Sequence, residues 1–327
     1  MMFYMTLILS SMISISANSW LSMWIGLEIN LLSIIPLMNS SKNMMSSESS
    51  IKYFITQVFA SSMLMFAIIY MYNQSYNFIN LNSFIYMSAL LTKMGAAPFH
   101  FWFPEVIEGL NWLNSMILLT WQKIAPMIML TYNLNINFLT IIIILCMLIS
   151  GIMGINQISL RKIMAYSSIN HMGWMISTFF FIETMWIYYF MIYTIITINL
   201  SFMFMKFNIF YLNQLYSILK ENIFIKLFFI LNFMNLGGLP PFLGFLPKWI
   251  TVQTLIINKF YILSFFMMIL TLLTLYFYMR ITFSTILLSS NEIFFTKSPT
   301  FNLFSLILFN FISLSSLILC TMIFNLT

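Results

Sequence analysis

The amino-acid sequence predicts an all-α, polytopic membrane protein with about 11 transmembrane helices. Composition is the first reason, because 61% of the residues are hydrophobic and 6% are charged, whereas soluble proteins carry about 25% charged residues. The second reason is a series of long apolar stretches, which gives a mean hydropathy of +0.97. The third is the placement of lysine and arginine between those stretches.

A membrane-spanning helix needs about 20 apolar residues. This length divides the chain into eleven predicted segments at 3–19, 21–39, 52–72, 79–97, 112–132, 138–155, 163–182, 184–206, 224–242, 260–288 and 302–325. The N-terminal stretch has no basic region and no arginine-rich amphipathic pattern, so we interpret it as a membrane span and not as a cleaved targeting sequence. We expect a single transmembrane domain over residues 1–327.

Basic residues in the connections lie mainly on one face of the predicted membrane. The connections that lead from even-numbered to odd-numbered segments contain Lys42, Lys52, Arg161, Lys162, Lys206, Lys220, Lys226 and Lys297, and the opposite connections contain Lys259. Because lysine and arginine accumulate on the face that is not translocated, the N-terminus is predicted on that face. An odd number of spans places the C-terminus on the other face.

The composition also indicates where the chain is encoded. The sequence contains no aspartate but has 36 Phe, 30 Met and 16 Tyr. AT-rich codons favour Phe, Ile, Asn, Tyr and Lys, and a code that reads ATA as methionine adds to the methionine count. We therefore interpret the bias as a sign of mitochondrial encoding.

Two stretches, 98–111 and 237–258, do not fit a plain membrane-spanning helix. Each is too apolar for a water-exposed loop, yet each contains the Gly and Pro residues that interrupt helices. GAAPFHFWFPE (95–105) and GLPPFLGFLPK (238–248) share the pattern G-x-x-P-F-x-x-x-x-P at an offset of 143 residues. Chance similarity is one explanation. The other is two related halves, each with a broken helix that forms a site near the middle of the membrane.

Four basic residues lie inside or beside the predicted spans: Lys93, Lys123, Lys248 and Arg280. Lys123 is at the middle of its segment, where a lysine costs about 2.5–3.5 kcal/mol on insertion scales, so another group must compensate for it. Lys93 and Lys248 flank the broken helices, where freed carbonyl groups can accept hydrogen bonds from an ammonium group. Arg280 is near a span end, and we expect it to reach the interface along its aliphatic stem.

Further titratable residues are candidates for the same site. Glu28 is the one acid inside a predicted span, and it is either a protonated acid hydrogen-bonded to a neighbouring helix or the counter-charge of an intramembrane lysine. His171 is either a hydrogen-bonded structural residue or part of a relay, and His100 is undecided in the same way. One glutamate among several buried lysines favours a proton relay.

Several functions are not supported by any motif. The sequence has no G-x-G-x-x-G after a strand and no Walker motif, and Cys146 and Cys320 occur in separate apolar runs without metal-ligand spacing. We therefore expect no nucleotide site, metal site or redox centre on this chain. An ion/proton antiporter, a proton-translocating subunit of an energy-converting enzyme and a membrane scaffold remain, and the cost of the buried lysines argues against the scaffold.

Four motifs resemble those of one family: LLTKMGAAPFHFWFPEVIEGL, LLTWQKIAPM, RKIMAYSSINHMGW and NLGGLPPFLGFLPKW. In this order they are similar, over the length of the chain, to the family of mitochondrial NADH dehydrogenase (ubiquinone) subunit 2, the antiporter-like membrane subunits of respiratory complex I. The resemblance implies an antiporter-like fold with two inverted repeats and two broken helices. We expect these repeats at 1–135, broken near 93–105, and at 136–290, broken near 237–248, before a C-terminal helix at 291–327.

The same resemblance implies roles for the candidate residues. Glu28 is the acid of the first repeat, Lys93 is its partner at the first broken helix, and Lys123 is the central lysine of the relay. Lys248 is the lysine of the second broken helix. His171 joins the expected relay as a titratable residue of the sequence and not through the resemblance. The two repeats differ here, because Lys93 precedes its break whereas Lys248 follows its own.

The implied function is that of a core proton-translocating subunit of complex I, driven by quinone reduction in other subunits, with a stand-alone cation/proton antiporter as the alternative. FMN, iron–sulfur clusters and ubiquinone are expected in partner subunits, and no cofactor on this chain. The expected partners are antiporter-like and small hydrophobic membrane subunits, accessory subunits and lipids such as cardiolipin, and no nucleic acid. The expected location is the mitochondrial inner membrane, with the N-terminus in the matrix and the C-terminus in the intermembrane space.

Protease treatment tests this orientation. In sealed mitoplasts, protease added from outside should spare the connection at 207–222, because its flanking Lys206 and its Lys220 are predicted on the matrix face. Permeabilised mitoplasts are the control and should allow cleavage there. Cleavage at 207–222 in sealed mitoplasts would contradict the predicted orientation.

Overall fold

Helices make up nearly all of the regular structure. The computed structural model describes residues 2–39, 43–73, 79–181, 184–219, 223–240, 242–287 and 311. Within these ranges no strand forms, and Ser159 and Tyr211 make an isolated antiparallel bridge. The predicted all-α fold class is therefore confirmed.

The described α-helices are α1 (Met2–Ser16), α2 (Trp20–Met38), α3 (Met44–Asn73), α4 (Ile79–Met94), α5 (Trp102–Gly109), α6 (Trp112–Leu119), α7 (Ile124–Thr131), α8 (Ile136–Ile155), α9 (Leu160–Thr178), α10 (Met185–Phe207), α11 (Leu212–Ile218), α12 (Ile223–Gly237), α13 (Phe245–Ile257) and α14 (Tyr261–Leu287). A 3-10 turn at Trp121–Lys123 lies between α6 and α7.

The chain forms two compact units, residues 1–146 and 147–327. The first contains α1 to α7, the second contains α9 to α14, and the boundary falls within α8. This division does not test the inverted repeats expected at 1–135 and 136–290, which stay a prediction.

In the first unit, α1 packs closely on α2. A Cβ added at Gly26 of α2 would lie 2.8 Å from the Cβ of Ser14 on α1, so the two backbones approach each other at this point. Ser10 and Ser11 are also buried on α1. Small residues at a helix contact permit such an approach, and van der Waals packing then holds membrane helices together.

In the second unit, α9 is enclosed by protein. Every residue from Ile163 to Thr178 is buried, including the polar residues Ser167, Ser168, Asn170 and His171. By contrast, several large apolar side chains are exposed along α14. α14 is therefore suited to an apolar solvent, whereas α9 places polar groups in the protein interior.

Five described helices are long and apolar enough to cross a membrane, namely α2, α3, α8, α10 and α14. The predicted segment 112–132 is interrupted between α6 and α7. The predicted segments 79–97 and 224–242 contain α4 and α12, and each is followed after a break by a short helix, α5 or α13. The predicted count of about 11 spans depends on treating each interrupted pair as one crossing, and it stays a prediction. The last predicted segment, 302–325, lies outside the described residues except for position 311.

The start of α3 differs from the prediction. The helix begins at Met44 and not at residue 52, so Lys52 lies inside a helix and not in a connection. Its ammonium group is 3.0 Å from a carboxylate oxygen of Glu48 and 2.8 Å from one of Glu105. The sequence pattern missed this start because the first turns of α3 are rich in serine, and its apolar stretch begins later.

The segment predicted as continuous at 112–132 is also different. The 3-10 turn at Trp121–Lys123 interrupts it. Pro126 is the local cause, because it has no backbone N–H to donate to the carbonyl of Gln122, four residues earlier, and its ring crowds that carbonyl. Lys123 therefore lies at an irregular part of the backbone.

The first broken helix ends in a Schellman motif. α4 ends at Met94, and Gly95 follows with a φ of 72°. The amide of Gly95 donates to the carbonyl of Thr92 at 3.2 Å, and the amide of Ala96 donates to the carbonyl of Leu91 at 3.0 Å. These bonds satisfy carbonyl groups that the end of a helix otherwise leaves open.

The second broken helix ends in the same way, 143 residues later. Gly238 has a φ of 71°. Its amide donates to the backbone carbonyl of Asn235 at 3.0 Å, and the amide of Leu239 donates to the backbone carbonyl of Met234 at 3.4 Å. Pro241, which the sequence alignment pairs with Pro98, lies outside the described residues. The repeated motif in the sequence thus corresponds to a repeated backbone turn.

A substitution at the first turn tests this account. Gly95→Ala places a Cβ 2.9 Å from the Cβ of Phe103 on a backbone with positive φ, so it should destabilise the protein by about 1–3 kcal/mol. Gly237→Ala is the matched control, because its Cβ would meet Tyr278 at an ordinary 3.6 Å. Thermal denaturation of the purified protein is the measurement, and equal transition temperatures for the two variants would contradict this interpretation of the turn.

Candidate functional site

Lys93 lines a cavity in the first unit. It occupies the last turn of α4, directly before the break, and 7% of its surface is exposed. The cavity is small and partly open to the outside, and it is lined by Leu27, Asn30, Leu31, Tyr53, Gln57, Lys93, Gln122 and Pro126. The ammonium-bearing side chain therefore shares its surroundings with three amides and a phenol, which are groups that can hold a water molecule.

Glu28 acts on Lys93 from a distance. It is half-buried on α2, and its charge interacts electrostatically with Lys93. No ion pair of 4 Å or less joins these two described side chains. The arrangement is therefore a separated pair of opposite charges, whose interaction grows as the two groups approach.

Lys123 lies deep in the first unit, beside the first break. It is 1% exposed, and its Nζ is 5.3 Å from the centre of the Phe103 ring on α5, which is a cation–π distance. Cys146 is near enough to interact with Lys123 electrostatically, and its thiol lies 3.6 Å from the carbonyl oxygen of Ala97 in the break. The structure thus brings Lys123 to the interruption that follows Lys93.

Three amides at this site were missed by the sequence reasoning. Asn30 and Gln122 form two hydrogen bonds with each other, at 2.8 and 3.1 Å, and Gln57 donates to the backbone carbonyl of Lys93 at 3.3 Å. Polar side chains within apolar spans were the available signal, because membrane proteins place such groups where they find partners.

Lys248 is held by the second break. It is 7% exposed, and its Nζ donates to the carbonyl oxygen of Gly237 at 2.9 Å. This carbonyl belongs to the last turn of α12, where it has no partner within the helix and where the helix dipole favours a cation. The Nζ is also 5.9 Å from the centre of the Trp174 ring on α9.

His171 belongs to a buried polar row on α9. Its Nδ1 is 2.9 Å from the hydroxyl of Tyr189, and its ring centre is 5.1 Å from that of Tyr193. The neighbouring Asn170 donates to Thr274 at 3.2 Å. Trp174, whose ring contacts Lys248, follows His171 by three residues. His171 and Trp174 therefore lie about one helical turn apart on α9.

Other titratable residues lie apart from these contacts. Arg280 is exposed, and its guanidinium donates to the carbonyl of Ile155 at the end of α8, at 2.8 Å. His100 is buried, with its Nδ1 3.3 Å from the carbonyl oxygen of Pro98. Cys320 lies outside the described residues.

The site residues fall into one set in each unit. Glu28, Lys93 and Lys123 occur in the first unit, and His171 and Lys248 occur in the second. Irregular backbone inside an apolar chain is tolerated only where protein or a cavity covers it, and broken helices with buried charges are characteristic of membrane transporters. The fold and site therefore define a transporter-like membrane protein.

Comparison with known proteins identifies the family. Residues 17–274 match the family described as NADH:quinone oxidoreductase/Mrp antiporter, TM. NADH-ubiquinone oxidoreductase chain 2 of Anopheles gambiae is 49% identical over 98% of this chain and 97% of that protein. Its Bos taurus counterpart is 41% identical over 86% and 84% of the two chains. The chain belongs to the NADH-ubiquinone oxidoreductase chain 2 family.

Solved structures support the fold. A chain of respiratory complex I from Thermus thermophilus matches with a TM-score of 0.82 at 19% identity, over 96% of this chain and 77% of that one. A chain of the Mrp complex from a Dietzia species matches with a TM-score of 0.75 at 15% identity, over 89% and 61%. The predicted antiporter-like fold is therefore confirmed.

Proposed function

We propose that this chain is a core proton-translocating membrane subunit of NADH:ubiquinone oxidoreductase, respiratory complex I. Protons pass through it along buried lysine, glutamate and histidine side chains, and quinone reduction in other subunits drives the transfer. The observation that carries this proposal is the burial of Lys93, Lys123 and Lys248 at backbone interruptions, where each is at most 7% exposed.

Buried lysines are suited to this task because their two protonation states are finely balanced. Removal from water disfavours the charged form, while a nearby carboxylate, carbonyl or water favours it. A small rearrangement of such partners can therefore load or release a proton. Lys93 has the separated charge of Glu28, and Lys248 has the carbonyl of Gly237. A membrane scaffold would gain nothing from these costly residues.

These contacts support the following roles for the site residues. Glu28 is the counter-charge that stabilises protonated Lys93, Lys123 receives the proton within the first unit, and His171 and Lys248 act in the second. Because Glu28 does not close an ion pair with Lys93, a modest movement changes their interaction in either direction. The two related halves, 1–135 and 136–290, each contribute one broken helix to the relay.

A stand-alone cation/proton antiporter is the alternative. The family description covers both complex I subunits and Mrp antiporters, and the fold likeness extends to an Mrp complex. The relatives that match over nearly their whole length, however, are named NADH-ubiquinone oxidoreductase chain 2. Their length and identity favour the complex I subunit.

The location and partners follow from the same proposal. The chain is a multi-pass protein of the mitochondrial inner membrane, with its N-terminus in the matrix and its C-terminus in the intermembrane space. FMN, iron–sulfur clusters and ubiquinone belong to partner subunits. Antiporter-like and small hydrophobic subunits, accessory subunits and lipids such as cardiolipin surround it.

Lys123→Met tests the proton-relay role. Methionine approximates the length and volume of the lysine stem but carries no proton, so the complex should assemble and translocate fewer protons per NADH oxidised. The measurement is the proton-to-electron ratio of purified complex in sealed liposomes. Arg280→Met is the control, because Arg280 is exposed and bonds a helix end; it should lower stability and leave the ratio unchanged.

Two outcomes would contradict the proposal. A normal ratio in assembled Lys123→Met complex would remove Lys123 from the relay. Recovery of the native chain as an active antiporter without flavin-containing and iron–sulfur-containing subunits would favour the alternative function.

A further inference from the structure

Asn30 and Gln122 form a closed amide pair at the Lys93 cavity. Asn30 Nδ2 donates to Gln122 Oε1 at 2.8 Å, and Gln122 Nε2 donates to Asn30 Oδ1 at 3.1 Å. Both side chains line the cavity together with Lys93. Asn30 is 5% exposed and Gln122 is half-buried, so protein covers much of the pair.

The pair joins α2, which carries Glu28, to the 3-10 turn, which carries Lys123. Asn30 is on α2, two residues after Glu28, and Gln122 directly precedes Lys123 in the 3-10 turn. The backbone of this turn lacks one helical hydrogen bond, because Pro126 has no N–H to donate to the Gln122 carbonyl. The side-chain pair therefore helps to fix where Lys123 is held.

The chemistry of the pair allows two states. A primary amide neither gains nor loses a proton near neutral pH, so two amides bonded to each other do not pass a proton on. When they separate, each exposes a donor and an acceptor, and a water molecule needs about two to four such partners to be held in a buried site. The small cavity beside the pair, which Lys93, Tyr53 and Gln57 also line, is the place where that water would be held.

We infer that Asn30 and Gln122 are a gate between Lys93 and Lys123: the paired amides block proton transfer, and the separated amides hold the water that permits it. They are positioning residues, because they act through the lysines and through water. This inference rests on the proposed proton-relay function of the chain. It adds two uncharged residues to the relay.

A purely structural role is the competing explanation. The amide of Asn114 on α6 donates to the carbonyl of Leu37 on α2 at 2.7 Å. This bond also ties α2 to the interrupted segment at 112–131, but Asn114 does not line the Lys93 cavity. Asn114→Leu is therefore a matched control that removes an amide bond between the same elements and spares the gate.

The test uses whole complex I in sealed liposomes and measures assembly together with protons translocated per NADH oxidised. Gln122→Met keeps the side-chain length but can neither pair with Asn30 nor hold water. The complex should assemble, and its ratio should fall toward that of Lys123→Met. Asn114→Leu should keep the normal ratio.

The exchanged double variant, Asn30→Gln with Gln122→Asn, keeps the total side-chain length and restores two amides. It should recover the ratio that Gln122→Met loses, and it provides a second readout if Gln122→Met does not assemble. Recovery supports a gate that depends on paired amides, whereas an assembled exchange variant that still fails to pump contradicts it.

Other outcomes separate this inference from the proposed function. A normal ratio in Gln122→Met together with a reduced ratio in Lys123→Met would overturn the gate and leave the relay intact. A normal ratio in both would overturn the relay itself. Equal losses of assembly in Gln122→Met and Asn114→Leu, with normal pumping by the assembled fraction, would show a structural clamp and overturn the gate.

Discussion

The end of a helix inside an apolar environment is the constraint on which the site depends. Carbonyl groups in the last turn of a helix have no partner within it, and lipid offers none. At Gly95 and Gly238 the backbone turns through a positive φ and satisfies some of these groups itself. The remaining carbonyl groups are places where a buried cation can bond, as Lys248 does with Gly237.

The two breaks use this constraint differently. Glu105 and Lys248 occupy equivalent positions, 143 residues apart. Glu105 is exposed and pairs with Lys52, whereas Lys248 turns inward to the end of α12. At the first break the buried cation is Lys93, which precedes the glycine and depends on Glu28 and on the polar cavity. The same type of backbone turn thus occurs beside two differently stabilised lysines. A carbonyl group holds Lys248, whereas a distant charge balances Lys93.

The sequence was sufficient for much of this description. Composition and apolar lengths predict the helical membrane fold, and the repeated Gly and Pro motif locates both breaks to within a few residues. These features are local, so a pattern of neighbouring residues reports them. The buried lysines can also be recognised in the sequence, because a charged residue in the middle of a long apolar run does not belong to a water-exposed connection.

Long-range contacts could not be read in the same way. The bond between Asn30 and Gln122 joins residues 92 positions apart, and nothing in either segment indicates its partner. The partnership of His171 with Tyr189 depends on how α9 and α10 pack. The error at Lys52 has a local origin, since the first turns of α3 are rich in serine and the apolar pattern begins later. Pro126 is a local signal for the 3-10 turn at Lys123.

We propose that Lys123 and Lys248, each in its own unit, act in one proton-transfer process. Groups in a single series are non-additive, because removing one already stops the transfer that the next would continue. The most direct measurement is the proton-to-electron ratio of assembled complex carrying Lys123→Met, Lys248→Met or both. The account predicts that each single variant lowers the ratio and that the double variant lowers it no further. Independent, additive losses, or an unchanged ratio in either assembled single variant, would contradict it.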